Sequence, residues 1–264
     1  SSAASDVYKR QAKYSPMEGH RCEGEEQCGM HINCCNANGP RAFALIPDFA
    51  VKKMGNEVYV NYYGDMSASL ENGHNKVLVK QHTTYPVSNV IDITIDVTKE
   101  NVFGLHLRVP VWSAQTVITL NGEELKDICP GTYHAITRKW KKGDHIQIIL
   151  DMPARLLEQN QMQAIVRGPI VLARDSRFND GFVDETLVVD SEDGIVKAEV
   201  DSVPGFAWMR LKVPVTVGTD LEGVGMYRNI SFCDFASAGN TWDKQVRYRV
   251  WIPRTLDVKK GRLK

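Results

Sequence analysis

A chain of 264 residues, 43% hydrophobic and 24% charged, has the composition of an ordinary globular protein and the length to bury a substantial core. Lys plus Arg number 32, as do Asp plus Glu, and no basic run stands out, which argues against nucleic acid or an anionic membrane as the main partner. No apolar stretch approaches the length needed to span a bilayer.

The first five residues, Ser1 to Ser5, are small and polar, without the charged start and apolar centre of a signal peptide. Asp6-Val-Tyr-Lys-Arg-Gln11 reads as a translated transposon-end adapter. Residues 1–11 are therefore expected to be a non-native leader, and the chain a fragment entered mid-gene.

Residues 12 to about 55 hold four of the six cysteines in a stretch rich in Gly, Asn and Glu. A helical signal follows. Asn36 or Asn38 can cap, Pro40 suits a first turn, and Arg41 to Met54 carries apolar residues before a stop at Gly55. Pro47 inside that span predicts a kink or two short helices.

From Glu57 the period changes to two. Glu57–Tyr63, Lys76–His82, Val90–Val97, Val102–Val109 and Thr116–Leu120 alternate apolar with polar residues, as half-buried strands do. Asn121-Gly122 is a strong hairpin turn, and Lys142-Gly-Asp144 is another before His145–Leu150. Short strands with regular turns predict an antiparallel sandwich over residues 56–158. Residues 159–264 open with Gln163–Ala173, pass through an acidic, weakly patterned excursion from Ser176 to Gly194, and return to strands at Ile195–Val200, Ala207–Val215 and Gln245–Ile252. This predicts a second, smaller sandwich.

Cys22, Cys28, Cys34 and Cys35 cluster, while Cys129 and Cys233 stand alone and read as buried or unpaired thiols. Neighbouring cysteines rarely bond to each other, because the small ring departs from normal disulfide geometry. Three readings stay open on spacing alone: a soft-metal site, structural disulfides in a secreted loop, or buried thiols. His31, three positions before Cys34, favours a structural hydrogen bond. His82, His106, His134 and His145 read as exposed or satisfied sheet residues. Glu23, Glu25 and Glu26 suit a solvated run. Trp112, Trp140, Trp208, Trp242 and Trp251 read as core ahead of a sugar-stacking platform. The small-residue loop Asp234–Trp242 reads as an interface element ahead of a catalytic one.

The residues around the pair, Gly29-Met-His-Ile-Asn-Cys-Cys-Asn-Ala-Asn-Gly-Pro-Arg41, resemble the motif of the β-L-arabinofuranosidases of glycoside hydrolase family 127 and their relatives. Further landmarks follow in the family's order: Val58-Tyr-Val-Asn-Tyr-Tyr63, Gln81-His-Thr-Thr-Tyr-Pro86, Leu107-Arg-Val-Pro-Val-Trp112, Leu120-Asn-Gly122, Arg138–Asp144 and Arg167-Gly-Pro-Ile-Val-Leu172. The resemblance implies a mainly β chain. Two antiparallel, jelly-roll-like β-sandwich domains are preceded, over residues 12–55, by the last helical segment of a truncated (α/α)6 barrel.

It also implies a retaining mechanism in which Cys34 is the nucleophile and a zinc ligand, with Cys35 a second zinc ligand. The family's other ligands come from an upstream Glu-x-Cys motif. Glu26-Gln-Cys28 has that spelling but sits too close to the pair to take the role. The acid/base Glu belongs to the missing barrel and is assigned to no residue here. The implied partners are an arabinose-containing glycan of the plant cell wall and the protein's own barrel, and a homodimer is allowed. The implied location is periplasmic or extracellular, and the fragment alone is expected to be inactive. The alternative is a non-catalytic sandwich that binds carbohydrate or braces a neighbour.

Overall fold

The structure, a computed structural model, describes residues 12–13, 21–22, 34–72, 74–201, 205–219, 225–241, 243, 245–254, 256–257 and 262–263. Helix α1 (Cys34–Ala50) leads into β1 (Val51–Met54), β2 (Glu57–Val60), β3 (Met66–Asn72), β4 (Asn75–His82) and β5 (Val90–Val97). Then come β6 (Asn101–Arg108), β7 (Val117–Leu120), β8 (Glu123–Glu124), β9 (Tyr133–Trp140) and β10 (Asp144–Ile149). The chain divides into two compact units, residues 42–152 and residues 153–264 with 1–41.

Alternation decides the first unit. In β5, Ile91, Ile93 and Ile95 are buried while Asp92, Thr94 and Asp96 face the other side. The same pattern in β4, β7 and β10 gives a six-stranded sheet in the order β8-β7-β10-β5-β4-β3. A four-stranded sheet, β9-β6-β2-β1, contributes Val58, Val60, Phe103, Leu105, Leu107, Ile136 and Trp140 to the same core. Two sheets sharing one apolar cluster make the expected sandwich. Its pairings are antiparallel except β2 with β6, which run parallel from Glu57 opposite Gly104 to Val60 opposite Leu107. After β2 the chain crosses to the other sheet for β3 to β5, so it returns alongside β2 in the same direction.

Several boundaries differ from the sequence expectation. The helix starts at Cys34 and ends at Ala50, running through Pro40 and Pro47 as one element. Proline's fixed φ suits a helix, but each interior ring removes a donor and crowds the carbonyl four residues back, so the helix continues against that cost. Val51–Met54 is a strand because it folds back on Glu57–Val60 across Gly55, whose φ is +60°. β3 and β9 were not expected. The first offers only Met66, Ala68 and Leu70 to the core, and the second only Ile136 and Trp140 among basic and polar neighbours.

Turns are fixed by polar side chains. Asn121 and Gly122 both take positive φ, +52° and +87°, as a two-residue hairpin demands. The Asn121 amide donates to Asp144 Oδ1 at 2.9 Å, and the Lys141 backbone N–H donates to Oδ2 at 2.8 Å. Burial alone would raise the Asp144 carboxyl, but these donors, with Arg138 and Lys141, hold it below the usual carboxylate range. A depressed folded pKa stabilises above the ordinary carboxyl value and is lost as pH falls through the folded one. Asp144→Ala is expected to cost about 1–3 kcal/mol at neutral pH and less in acid. Denaturation at pH 7 and pH 3 checks this, and an equal cost at both would remove the electrostatic part.

The second unit contains β11 (Ala154–Gln159), β12 (Met162–Arg167), β13 (Ile170–Asp175), β14 (Val188–Val189), β15 (Ser191–Glu192), β16 (Ile195–Val196) and β17 (Glu199–Asp201). It continues with β18 (Arg210–Thr219), β19 (Gly225–Asp234), β20 (Tyr248–Arg249) and β21 (Ile252–Pro253). The strands pair antiparallel along one path, β14-β18-β19-β13-β12-β11-β16-β15, with β17 on β18, β20 on β13 and β21 on β12. β11 pairs with β12 through a turn at Asn160-Gln161, both at positive φ, which places residues 154–159 with this unit. The long strand β19 was not expected from sequence; Ile230, Phe232, Cys233 and Asp234 are buried along it. The acidic excursion is tied down by arginines. Asp180 and Glu185 flank the buried Arg174, Arg228 pairs with Glu185, and Arg249 pairs with Asp184 at 2.6 Å.

Candidate active site

Cys34 and Cys35 open α1 and by their backbone occupy its first turn. The side chains of residues 34–39 lie outside the described residues, as do Cys28, His31, Glu23, Glu25, Glu26 and Trp242. Cys22 is described only by its backbone pairing with Ala12. Two adjacent sulfurs suit a soft or borderline metal such as zinc, so the donor chemistry of the pair fits half a tetrahedral set. Among the described residues, no group of three or more His, Cys, Asp or Glu is arranged to hold a metal ion.

The far end of α1 is fully described. Asn61, just after β2, donates its backbone N–H to Ala50 O at 2.8 Å and its side-chain amide to Phe49 O at 2.7 Å. Tyr62 N–H also reaches Ala50 O, at 3.3 Å. These donors satisfy carbonyls that a helix end leaves without partners. The Tyr133 hydroxyl donates to Asn61 Oδ1 at 2.6 Å.

Behind it stands a row of rings. Tyr133 meets Tyr59 edge-on at 5.5 Å, Tyr59 stacks on His106 at 4.2 Å, and His106 Nε2 lies 2.7 Å from Glu57 Oε2. Gly104 leaves room for that carboxylate, since a Cβ there would sit 1.7 Å from Glu57 Oε2. Sequence reading took none of these residues as functional, although Tyr59 and Asn61 lie in the landmark Val58–Tyr63.

The apolar residues of α1 point outward: Phe43, Leu45, Ile46 and Phe49 are each about half exposed, at 51%, 52%, 43% and 48%. A helix apolar on several sides is the kind that larger bodies enclose.

Other expected roles sort cleanly. His82 and His145 face Asp65 and Asp92 at 3.0 and 3.1 Å, so they are satisfied sheet residues, as is His106. Burial pushes the His134 imidazole down, against the pull of Asp127. Trp140 is core, with Nε1 donating to Phe103 O at 3.0 Å. Trp208 departs from the core expectation and is 58% exposed. Its backbone N–H is held by Asp234 Oδ1 and Ser237 Oγ, which fixes the base of the indole rather than burying it. Cys129 is exposed and Cys233 buried.

The loop after Asp234 is a tied turn. Asp234 also accepts from the Met209 and Ser237 N–H groups, both at 2.8 Å. Asp175, 2% exposed, grips the Arg177 guanidinium at 2.8 and 2.7 Å and accepts from Gly239 N–H at 2.7 Å. Arg177 continues to Asn240 Oδ1 at 2.8 Å and lies 3.5 Å over the Phe206 ring. Breaking a buried pair from one side leaves an uncompensated charge, so Asp175→Ala is expected to cost about 3–5 kcal/mol. Urea unfolding measures it; a loss below about 1 kcal/mol would show the network to be dispensable.

Residues 51–152 define a class of fold, a two-sheet β-sandwich closed by tight turns. Residues 57–152 match the family model described as "Beta-L-arabinofuranosidase, GH127 middle domain". Among solved structures, a GH127 β-arabinofuranosidase is similar at a TM-score of 0.70 and 21% identity, covering 86% of this chain and 39% of that one. Ara127N-Se, a GH127 β-L-arabinofuranosidase from Geobacillus stearothermophilus T6, has a TM-score of 0.70 and 19% identity, covering 86% and 38%. A structure described as a glycoside hydrolase gives 0.70 and 23%, covering 84% and 40%. This chain thus spans about two fifths of the length of those structures. No curated protein matches the sequence.

Proposed function

We propose that this chain is the C-terminal portion of a retaining glycoside hydrolase, a β-L-arabinofuranosidase that uses Cys34 as its nucleophile. The observation that carries the reading is a helix headed by Cys34-Cys35 that leads into a stretch, residues 57–152, matching the GH127 middle-domain model. Residues 12–55 are, on this reading, the end of a helical catalytic barrel. The outward apolar side chains of α1 support it, because a barrel would cover them.

The chemistry follows from the thiol. A free cysteine titrates near pH 8.5 and is mostly protonated at neutral pH, so a nucleophilic Cys34 needs help. The positive end of the α1 dipole, at Cys34 itself, favours the thiolate. Cys34 and Cys35 would hold a zinc ion, which when bound keeps a ligating thiol deprotonated.

The Cys34 thiolate attacks the anomeric carbon as the glycosidic C–O bond breaks, and a carboxyl group protonates the leaving oxygen. Water then displaces the sulfur, and the second inversion restores the starting configuration. The acid/base and the remaining ligands are assigned to no residue of this chain. The substrate class is terminal β-L-arabinofuranosides of plant cell-wall glycans, met in the periplasm or outside the cell.

The full-length protein, supplied with zinc, is expected to release L-arabinose with retained configuration, and Cys34→Ala to abolish release. The 264-residue chain alone is expected to be inactive. An unchanged rate in Cys34→Ala would remove the nucleophile assignment.

A second reading, a carbohydrate-binding module, draws on the exposed, rigidly based indole of Trp208. Calorimetry of residues 42–264 against arabinose-containing oligosaccharides decides it. Binding lost in Trp208→Ala favours this role; absence of heat leaves the sandwiches as braces.

A further inference from the structure

We infer that β3 is a pairing edge, through which two copies of this chain join antiparallel about a twofold axis at Ser69. The inference is independent of the catalytic reading.

β3 ends the six-stranded sheet, with β4 on one side and no strand on the other. The phase of the ladder decides which of its backbone groups face outward. Thr98 donates its N–H to the Lys76 carbonyl at 3.1 Å, so Lys76 turns its backbone toward β5 and away from β3. Backbone groups alternate sides along a strand, so it is Asn75, Val77, Val79 and Gln81 that bond β3, through Asn72, Leu70, Ala68 and Met66. Ser67, Ser69 and Glu71 lie opposite Lys80, Leu78 and Lys76, and direct their N–H and C=O groups to the open side. Among the described residues no other backbone hydrogen bond takes these groups up. The three side chains are exposed as well.

An open row of donors and acceptors is a template for another strand, and the remaining edges of the sandwich are guarded against that. β8 is two residues long, β1 carries Lys52 and Lys53 in its four residues, and β9 carries Arg138 and Lys139. β3 has seven residues and no lysine, arginine or proline. Its single charge, Glu71, decides the partner.

A second copy of β3 complements the first. With Ser69 opposite the partner's Ser69, Ser67 pairs with the partner's Glu71 and Glu71 with the partner's Ser67, for about six backbone hydrogen bonds. Glu71 then meets a hydroxyl rather than its own copy, and the repulsion of like charges directly opposite is avoided. On the other face Ala68 comes opposite the partner's Leu70. Met66, Ala68 and Leu70, only partly buried at the rim of the core, gain cover there. The pairing is isologous and uses each β3 once. The joined sheet ends at the guarded β8 on both sides, so the assembly closes as a dimer. One strand pair is a small contact, which sets a Kd of about 1–100 μM.

Sedimentation equilibrium of the 264-residue chain tests this. A monomer–dimer equilibrium in that range is expected. Amide exchange at Ser67, Ser69 and Glu71 is expected to slow at least about fivefold from dilute to concentrated protein. Ser69→Lys sets two like charges side by side on the axis, and Ser69→Pro removes an N–H that β4 does not use. Each is expected to weaken the dimer at least about tenfold. Circular dichroism identifies an unfolded variant, and Ser69→Lys, on an exposed side chain, carries the test if Ser69→Pro does not fold. A chain that stays monomeric to about 500 μM overturns the inference. So does a dimer that Ser69→Lys leaves unchanged, or one that forms without protecting the three amides.

Discussion

The shared core of the two sheets over residues 51–152 is the constraint on which everything else hangs. Ile91, Ile93, Ile95, Ile146 and Ile148 from one sheet and Val58, Val60, Phe103, Leu105 and Leu107 from the other form one cluster with almost no solvent exposure. Burying side chains of this size stabilises by roughly 1.5–3 kcal/mol each before the ordering cost is met. Because the side-chain period in a strand is two, this burial also fixes register, since a one-residue slip would turn the isoleucines outward. With register fixed, the opposite faces and the strand ends are fixed as well. Glu57, Tyr59, His106 and Tyr133 therefore meet, although they come from three separate strands.

On that frame, polar side chains do the local fixing. Asn61 closes a helix, Asn121 and Asp144 close two neighbouring turns, and Asp175 and Asp234 close the loop that follows β19. Each supplies donors or acceptors to backbone groups that irregular chain would otherwise bury without partners. Most family-like landmarks prove to be such scaffold residues. Leu120-Asn-Gly122 is a hairpin turn, and Arg138–Asp144 combines a core tryptophan with a turn carboxylate.

The division of labour in the proposed enzyme follows from this. The proposed chemistry belongs to the head of α1, and Asn61 and Tyr62 satisfy the carbonyls at its tail. Trp208 is the one tryptophan of the described residues that stands largely outside that scheme. The arginine-braced excursion around Asp180, Asp184 and Glu185 shows that its acidity serves internal ion pairs, which is why it carried no strand pattern in the sequence.

The sequence alone determined the β class, the strands with strict alternation such as Val90–Val97, and the Asn121-Gly122 turn, because period and turn chemistry are local properties. It also determined the cysteine pair and a resemblance to a family, because their spelling is local too. Tertiary structure decided what depends on distant partners. Met66–Asn72, Tyr133–Trp140 and Gly225–Asp234 are strands by virtue of their neighbours, their own patterns being diluted by Ser, Arg, Lys and Asn. Val51–Met54 left the helix because a hairpin partner lay across Gly55. The anchoring of α1 by Asn61 and Tyr133 joins residues far apart in the chain. No local pattern encodes such a contact, since it exists only once two sheets have packed and set the register.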